Sequence, residues 1–132
     1  MKYVYPALFQ PEEGGFFISF PDIDGCFTQA TSIPEGLDMA TDALSLMLWH
    51  MEEEHMEVPA SSPISSLNVD DGSFATLICA DTLAYRRLHD TKAIRKNLSI
   101  PRWLDTLAVQ HNINFSNLLQ NALMRELGVN KA

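Results

Sequence analysis

Basic residues are almost missing from the first 85 positions of this 132-residue chain, where Lys2 stands alone against fourteen of the seventeen acids. Residues 86–132 hold the other eight bases against Asp90, Asp105 and Glu126, so a net charge of −8 conceals −13 at one end and +5 at the other. Such polarity points the basic end toward a polyanion, and leaves the acidic end to stay solvated or to meet something basic. Cysteine is scarce as well. Cys26 and Cys79 have no second pair to make a metal spacing, and both read as small buried apolar residues. Long apolar runs are missing: the longest, LSLMLWHM at 44–51, is far shorter than the roughly 20 residues of a membrane span. The N-terminal MKYVYPALFQ has one basic residue and an early proline, unlike a signal peptide, which predicts a cytoplasmic protein. The only adjacent glycines, Gly14 and Gly15, fall in a turn, so no phosphate-cradling loop is present. No Ser-His-Asp or Cys-His pattern occurs either. The expectation is a non-enzymatic protein without cofactor or metal.

What is there is a soluble composition, 46% hydrophobic and 20% charged, with a real core to find. The runs 3–9 and 16–20 flank the turn QPEEGG and predict a hairpin, and GCFTQAT at 25–31 adds a third antiparallel strand after the loop PDIDG. A long helix follows. Ser32 with Glu35 forms a capping-box pattern, Pro34 suits a first turn, and Leu37, Ala40, Leu44, Met47, Leu48 and Met51 recur at helical spacing. After a Pro- and Ser-rich loop, SFATLICA at 73–80 reads as a strand. Residues 1–80 are thus a βββαβ domain with a three- or four-stranded sheet packed on one helix. Residues 81–91 read as a linker or a short helix capped by Asp81. Residues 92–132 then give a strand at 93–100 and two helices, the second capped by Asn114. The fold class is α+β.

A domain of about 45 residues has too little core to stand alone, and its single strand has no neighbour. A buried strand with unpaired donors and acceptors is not tolerated. Either the strand joins the N-terminal sheet or, as its alternation favours, it pairs with its own copy about a two-fold axis. Ile94, Leu98 and Ile100 would face the helices, while Arg95, Asn97 and Ser99 would form a polar face. A two-stranded ribbon fits the DNA major groove, and Arg and Asn match guanine and adenine edges. The second helix, with Asn114 and Ser116 at its start, offers N–H groups to a phosphate. Lys92, Lys96 and Arg102 would be further anchors.

The segment KAIRKNLSIPRWLDTLAVQHNINFSNLLQNALMREL resembles a ribbon-helix-helix domain. Together with EEGGFFISFPDIDGCFTQATSIPEGLDMATDALSL it resembles the HicB family of antitoxins across nearly the whole chain. The resemblance implies an N-terminal domain similar to a reduced RNase H fold without catalytic residues. It further implies a small basic RNA-cleaving HicA-like toxin as partner, and a C-terminal domain that dimerises and represses the operon by binding operator DNA. N-terminal domains would then be available to join dimers into a tetramer. The toxin contacts are expected at Asp22, Asp24, Phe27 and Gln29.

Other readings compete. A metal-dependent nuclease would need three or four converging carboxylates; Asp22, Asp24, Asp70 and Asp71 all sit in turns, and the strand runs 3–9, 16–20, 25–31 and 73–80 carry no acid. A stand-alone repressor without a toxin is the other alternative, and the polar strand face could simply be an edge protected from aggregation. His50 and His55 in HMEEEH are five residues apart, about 140° around a helix, and read as a solvated helix end. His111 reads as a packed or helix-end residue, and the four Met between 39 and 56 as core filler.

Overall fold

A nearly unbroken apolar run over residues 3–9 makes Lys2–Glu12 (β1) an inner strand with a hydrogen-bonded neighbour on each side. A computed structural model describes residues 1–130. β1 turns at Glu13–Gly14 into Gly15–Ser19 (β2), with Glu12 opposite Gly15. This is a two-residue loop in which Gly14 takes φ 81°, a region that favours glycine. Phe27–Ala30 (β3) pairs antiparallel with β2, and Phe74–Asp81 (β4) pairs antiparallel with β1. The sheet order is β3-β2-β1-β4, with β3 and β4 at its edges. The expected meander and fourth strand are both present.

Between β3 and β4 runs Ile33–Glu53 (α1). Ser32 caps it by accepting from the Glu35 N–H at 3.3 Å, but the Glu35 carboxylate turns to the Thr31 hydroxyl, so only half of the capping box forms. One sheet face meets this helix: Tyr5, Ala7, Phe9, Ile18, Ala30, Ile78 and Ala80 pack on Ala40, Leu44, Leu48 and Met51. Helix and sheet approach closely at Gly36, where a Cβ would lie 2.7 Å from the Phe9 ring. Each large side chain buried there stabilises by about 1.5–3 kcal/mol.

Three expectations need correction. Cys79 is exposed, because strand parity sends it to the sheet face opposite Ile78 and Ala80, which α1 does not cover. Leu37 remains exposed near the helix start. Of the four Met, Met51 is buried and Met47 partly so, while Met39 and Met56 are exposed.

Helix α2, Thr82–His89, begins directly after β4, capped by Asp81 accepting from the N–H groups of Leu83 and Ala84. It occupies most of the stretch read as a linker. The chain divides into two compact units, Met1–Lys92 and a second beginning at Ala93. In the second, Arg102–Gln110 (α3) and Phe115–Leu127 (α4) form a helical hairpin, and Asn114 caps α4 through the Asn117 N–H at 3.1 Å. Residues 90–101 hold no regular element. The strand expected at 93–100 is therefore not formed in the single chain. A strand is defined by its ladder, and the sheet draws its four strands from residues 2–81.

Candidate functional site

The loop between β2 and β3 is held from inside by Ile23, 1% exposed, with its N–H donating to Phe20 and its carbonyl accepting from Cys26. Asp22 accepts from the Ser62 N–H at 2.9 Å and from its hydroxyl at 2.5 Å, while the Tyr5 hydroxyl donates to the Pro59 carbonyl. These three bonds pin the loop that follows α1. Burial, then the Asp22 charge, pushes the Tyr5 hydroxyl above its usual range. Asp22 is thus engaged within the unit, whereas Asp24, Phe27 and Gln29 are exposed. Phe27 is 60% exposed and rests on Phe17, with ring centroids 5.8 Å apart.

Beside β3 lies a hollow of about 430 Å³ lined by Cys26, Phe27, Ala43, Leu46, Met47 and His50, and next to it another formed by Phe27, Thr28, Gln29 and Met39. A polar hollow at the far end of β3 brings Glu12, Glu13 and Glu35 around Gln29. The sequence candidates Phe27 and Gln29 border these hollows, whereas the α1 residues that line them were not among the candidates. Their signal was available: Met39, Ala43, Leu46 and Met47 follow i, i+4, i+7 and i+8, a second apolar stripe beside the buried one.

In the second unit no described residue is buried, although thirteen large apolar side chains lie there, from Ile94 to Leu127. An open apolar groove is lined by Leu98, Ile100, Phe115, Leu118, Leu119 and Ala122, with Lys96, Asp105 and Ser116 at its margin. Lys96 shares its parity in an extended segment with Leu98 and Ile100, not with Arg95, Asn97 and Ser99. All of these are exposed, as are Lys92 and Arg102, the last at the first position of α3. Ser116 stands in the first turn of α4 behind its Asn114 cap. His111 ends α3, with Nδ1 2.9 Å from the Leu107 carbonyl.

Arg86, grouped by sequence with the basic end, belongs to the first unit. It pairs with Glu52 at 3.0 Å and with Glu53. Glu52 also accepts from the hydroxyls of Tyr3 at 2.9 Å and Thr82 at 3.0 Å. Burial pulls the Glu52 carboxyl up, but these hydrogen bonds and the N-terminal charge outweigh it and hold the group below the usual carboxylate range. Trp49 packs edge-on to Tyr85 at 5.6 Å, completing the seam between α1 and α2.

Among the described residues, no three His, Cys, Asp or Glu side chains are placed to hold a metal ion, and no helix is long and apolar enough to cross a membrane. The family model described as "HicB_like antitoxin of bacterial toxin-antitoxin system" matches residues 5–123. The chain belongs to this HicB-like antitoxin family. It is 40% identical over 67 residues to Antitoxin HicB 1 of Photorhabdus laumondii, half of this chain and 43% of that one. To Antitoxin HicB of Escherichia coli K12 it is 35% identical over 63 residues, 47% of this chain and 46% of that one. These matches span less than half the length of the curated relatives. A chain in a solved toxin-antitoxin complex from Streptococcus pneumoniae is similar over 96% of this chain and 99% of its own, at 30% identity and a TM-score of 0.62. The Burkholderia pseudomallei antitoxin HicB shares the fold at 21% identity and a TM-score of 0.51, over 96% of this chain and 98% of its own.

Proposed function

We propose that this HicB-like chain is an antitoxin and autorepressor whose two units act on different partners. The acidic first unit binds and blocks a basic, HicA-like RNA-cleaving toxin around Asp24, Phe27 and Gln29. Asp22 supports them by fixing the loop through Ser62. A surface with this charge is steered to a basic partner and repels nucleic acid. The resemblance to a reduced RNase H fold carries no cleavage chemistry with it.

The second unit pairs with a second copy through residues 93–100 and closes a shared core. The single observation that carries this reading is that no described residue of the unit is buried, beside thirteen exposed large apolar side chains. Ordering each residue costs about 1–2 kcal/mol, and without burial nothing offsets that cost. The paired segment is a ribbon whose Arg95, Asn97 and Ser99 read base edges in the major groove of operator DNA. Lys92 and Arg102 contact phosphates. Lys96, rooted on the apolar side, reaches them by running its stem along the groove. The first-turn N–H groups of α4, near Asn114 and Ser116, clamp a further phosphate. Association of first units would join dimers into tetramers.

Two measurements test the halves separately. Co-expression with a small basic, HicA-like toxin yields a co-purifying, growth-restoring complex. Gel shifts on the gene's own promoter give binding that weakens steeply with salt, and Arg95→Ala costs about 1–3 kcal/mol of specificity. Equal affinity for unrelated DNA removes the repressor half, and absence of a complex removes the antitoxin half.

A further inference from the structure

The sheet is one strand narrower than the helix beneath it. Around α1 at 100° per residue, the stripe of Met39, Ala43, Leu46, Met47 and His50 lies to one side of the buried Ala40, Leu44 and Leu48. It emerges past the free edge of β3. Leu46 is 50% exposed and Met39 41%. An apolar stripe of this width is what a further strand beside β3 would cover.

The edge itself is ready for such a strand. Phe20 donates its N–H to the Cys26 carbonyl at 3.1 Å, and antiparallel pairs alternate between bonded and non-bonded. With the register Ile18–Thr28 and Phe16–Ala30, Thr28 and Ala30 direct their backbone groups to β2. Phe27 and Gln29 therefore direct theirs outward. β3 carries neither Lys nor Pro to blunt its edge. The other edge, β4, has no comparable helix stripe beside it.

We infer that the toxin docks on this edge by strand addition: a basic extended segment hydrogen-bonds to Phe27 and Gln29 and seats alternate apolar side chains on the Met39–His50 stripe. Charge decides between occupants. Glu12, Glu13 and Glu35 stand at the Gln29 end of β3 and Asp24 at the other. A second copy would set acids against acids at both ends of β3, whereas a basic segment pairs with both ends. The inference deepens the antitoxin reading and rests on it.

Amide exchange on the full chain, alone and with a small basic HicA-like toxin, tests the mode. In the complex the Phe27 and Gln29 amides become protected, while those of Thr28 and Ala30 are protected in both states. Gln29→Pro deletes an outward N–H without touching the β2 ladder, and Leu46→Asp charges the stripe. Each weakens the complex roughly 10- to 100-fold, while Leu77→Asp on β4 leaves it unchanged. A complex that forms with the Phe27 and Gln29 amides still open, or that tolerates both variants, overturns the inference and leaves the antitoxin reading standing. Loss of binding at Leu77→Asp alone moves the site to the open sheet face. Protection that appears on concentrating the chain alone makes a second copy the occupant and overturns the charge argument. Failure of the wild type to bind at all removes the antitoxin reading itself.

Discussion

The two units of this chain use apolar residues in opposite ways. The first buries fourteen of them between one helix and one sheet face, and needs no other molecule to do so. The second arranges its leucines, isoleucines and aromatics along a strand-length segment and two helices, and buries none. Both patterns are amphipathic and both were visible as periodicity. The difference is where the complementary surface lies: in the first unit it comes from the same chain, and in the second the proposal above takes it from a further copy. A hydrophobic pattern therefore predicts that a face will be covered, without saying by which chain.

Dilution breaks the comparison most directly. At concentrations where the chain is monomeric, α3 and α4 lose their helical circular dichroism and their amides exchange freely, while the first unit is unaffected. Thiol labelling reports on that first unit. Burial pushes the Cys26 thiol up to about 11, so it stays unreactive at pH 8 throughout, and exposed Cys79 reacts at every concentration. A second unit that remained helical as a monomer would end the contrast. Next in size, Phe9→Ala removes a ring that is fully buried and stacked on Phe74 at 4.8 Å, and costs the first unit about 3–5 kcal/mol. Its denaturation midpoint falls without becoming concentration-dependent, and the second unit's dimerisation is unchanged.

The two helix caps give a finer test. Ser32→Ala and Asn114→Ala each remove one side-chain acceptor from a first turn, a loss of about 1 kcal/mol. In the first unit that loss is counted once. In a dimer of second units it is counted twice, and the dissociation constant rises roughly 30-fold, at about tenfold per 1.4 kcal/mol. Equal, concentration-independent effects of the two substitutions would count against a shared core.

Local chemistry was legible in the sequence and long-range pairing was not. Ser32, Asp81 and Asn114 act as caps because capping depends on neighbours two or three residues away. The meander was readable from alternation and turn residues, and α1 from its spacing. Asp22 was readable as a loop acid, but its bonds to Ser62, forty residues on, were not. Arg86 looked like part of the basic end because its partners Glu52 and Glu53 come more than thirty residues earlier. Cys79 was misjudged because composition does not say which face of a strand is covered. Met39 was misjudged because an apolar stripe wider than the sheet reads the same as one that fits it. Phe27 and Gln29 were chosen as an exposed strand near the loop acids; their outward backbone groups follow only from the register with β2.

The smallest expected effect concerns where the first unit ends. If α2 belongs to it, the Glu52 seam should titrate with it. The Glu52 carboxyl is held below its ordinary 4.5 when folded, so its contribution is complete above that value and is lost as pH falls through the lower folded one. In a Trp103→Phe background Trp49 is the only tryptophan, and its contact with Tyr85 reports the α1–α2 seam. Its fluorescence should hold steady from neutral pH to about 4.5 and change below, before the core unfolds. Glu52→Gln removes the ionisable partner of Arg86 and Tyr3, so the seam is loosened at every pH and the acid step disappears. An acid step of the same size in the variant would mean that another carboxylate holds the seam. An α2 that melted together with α3 and α4 on dilution would instead place it in the second unit.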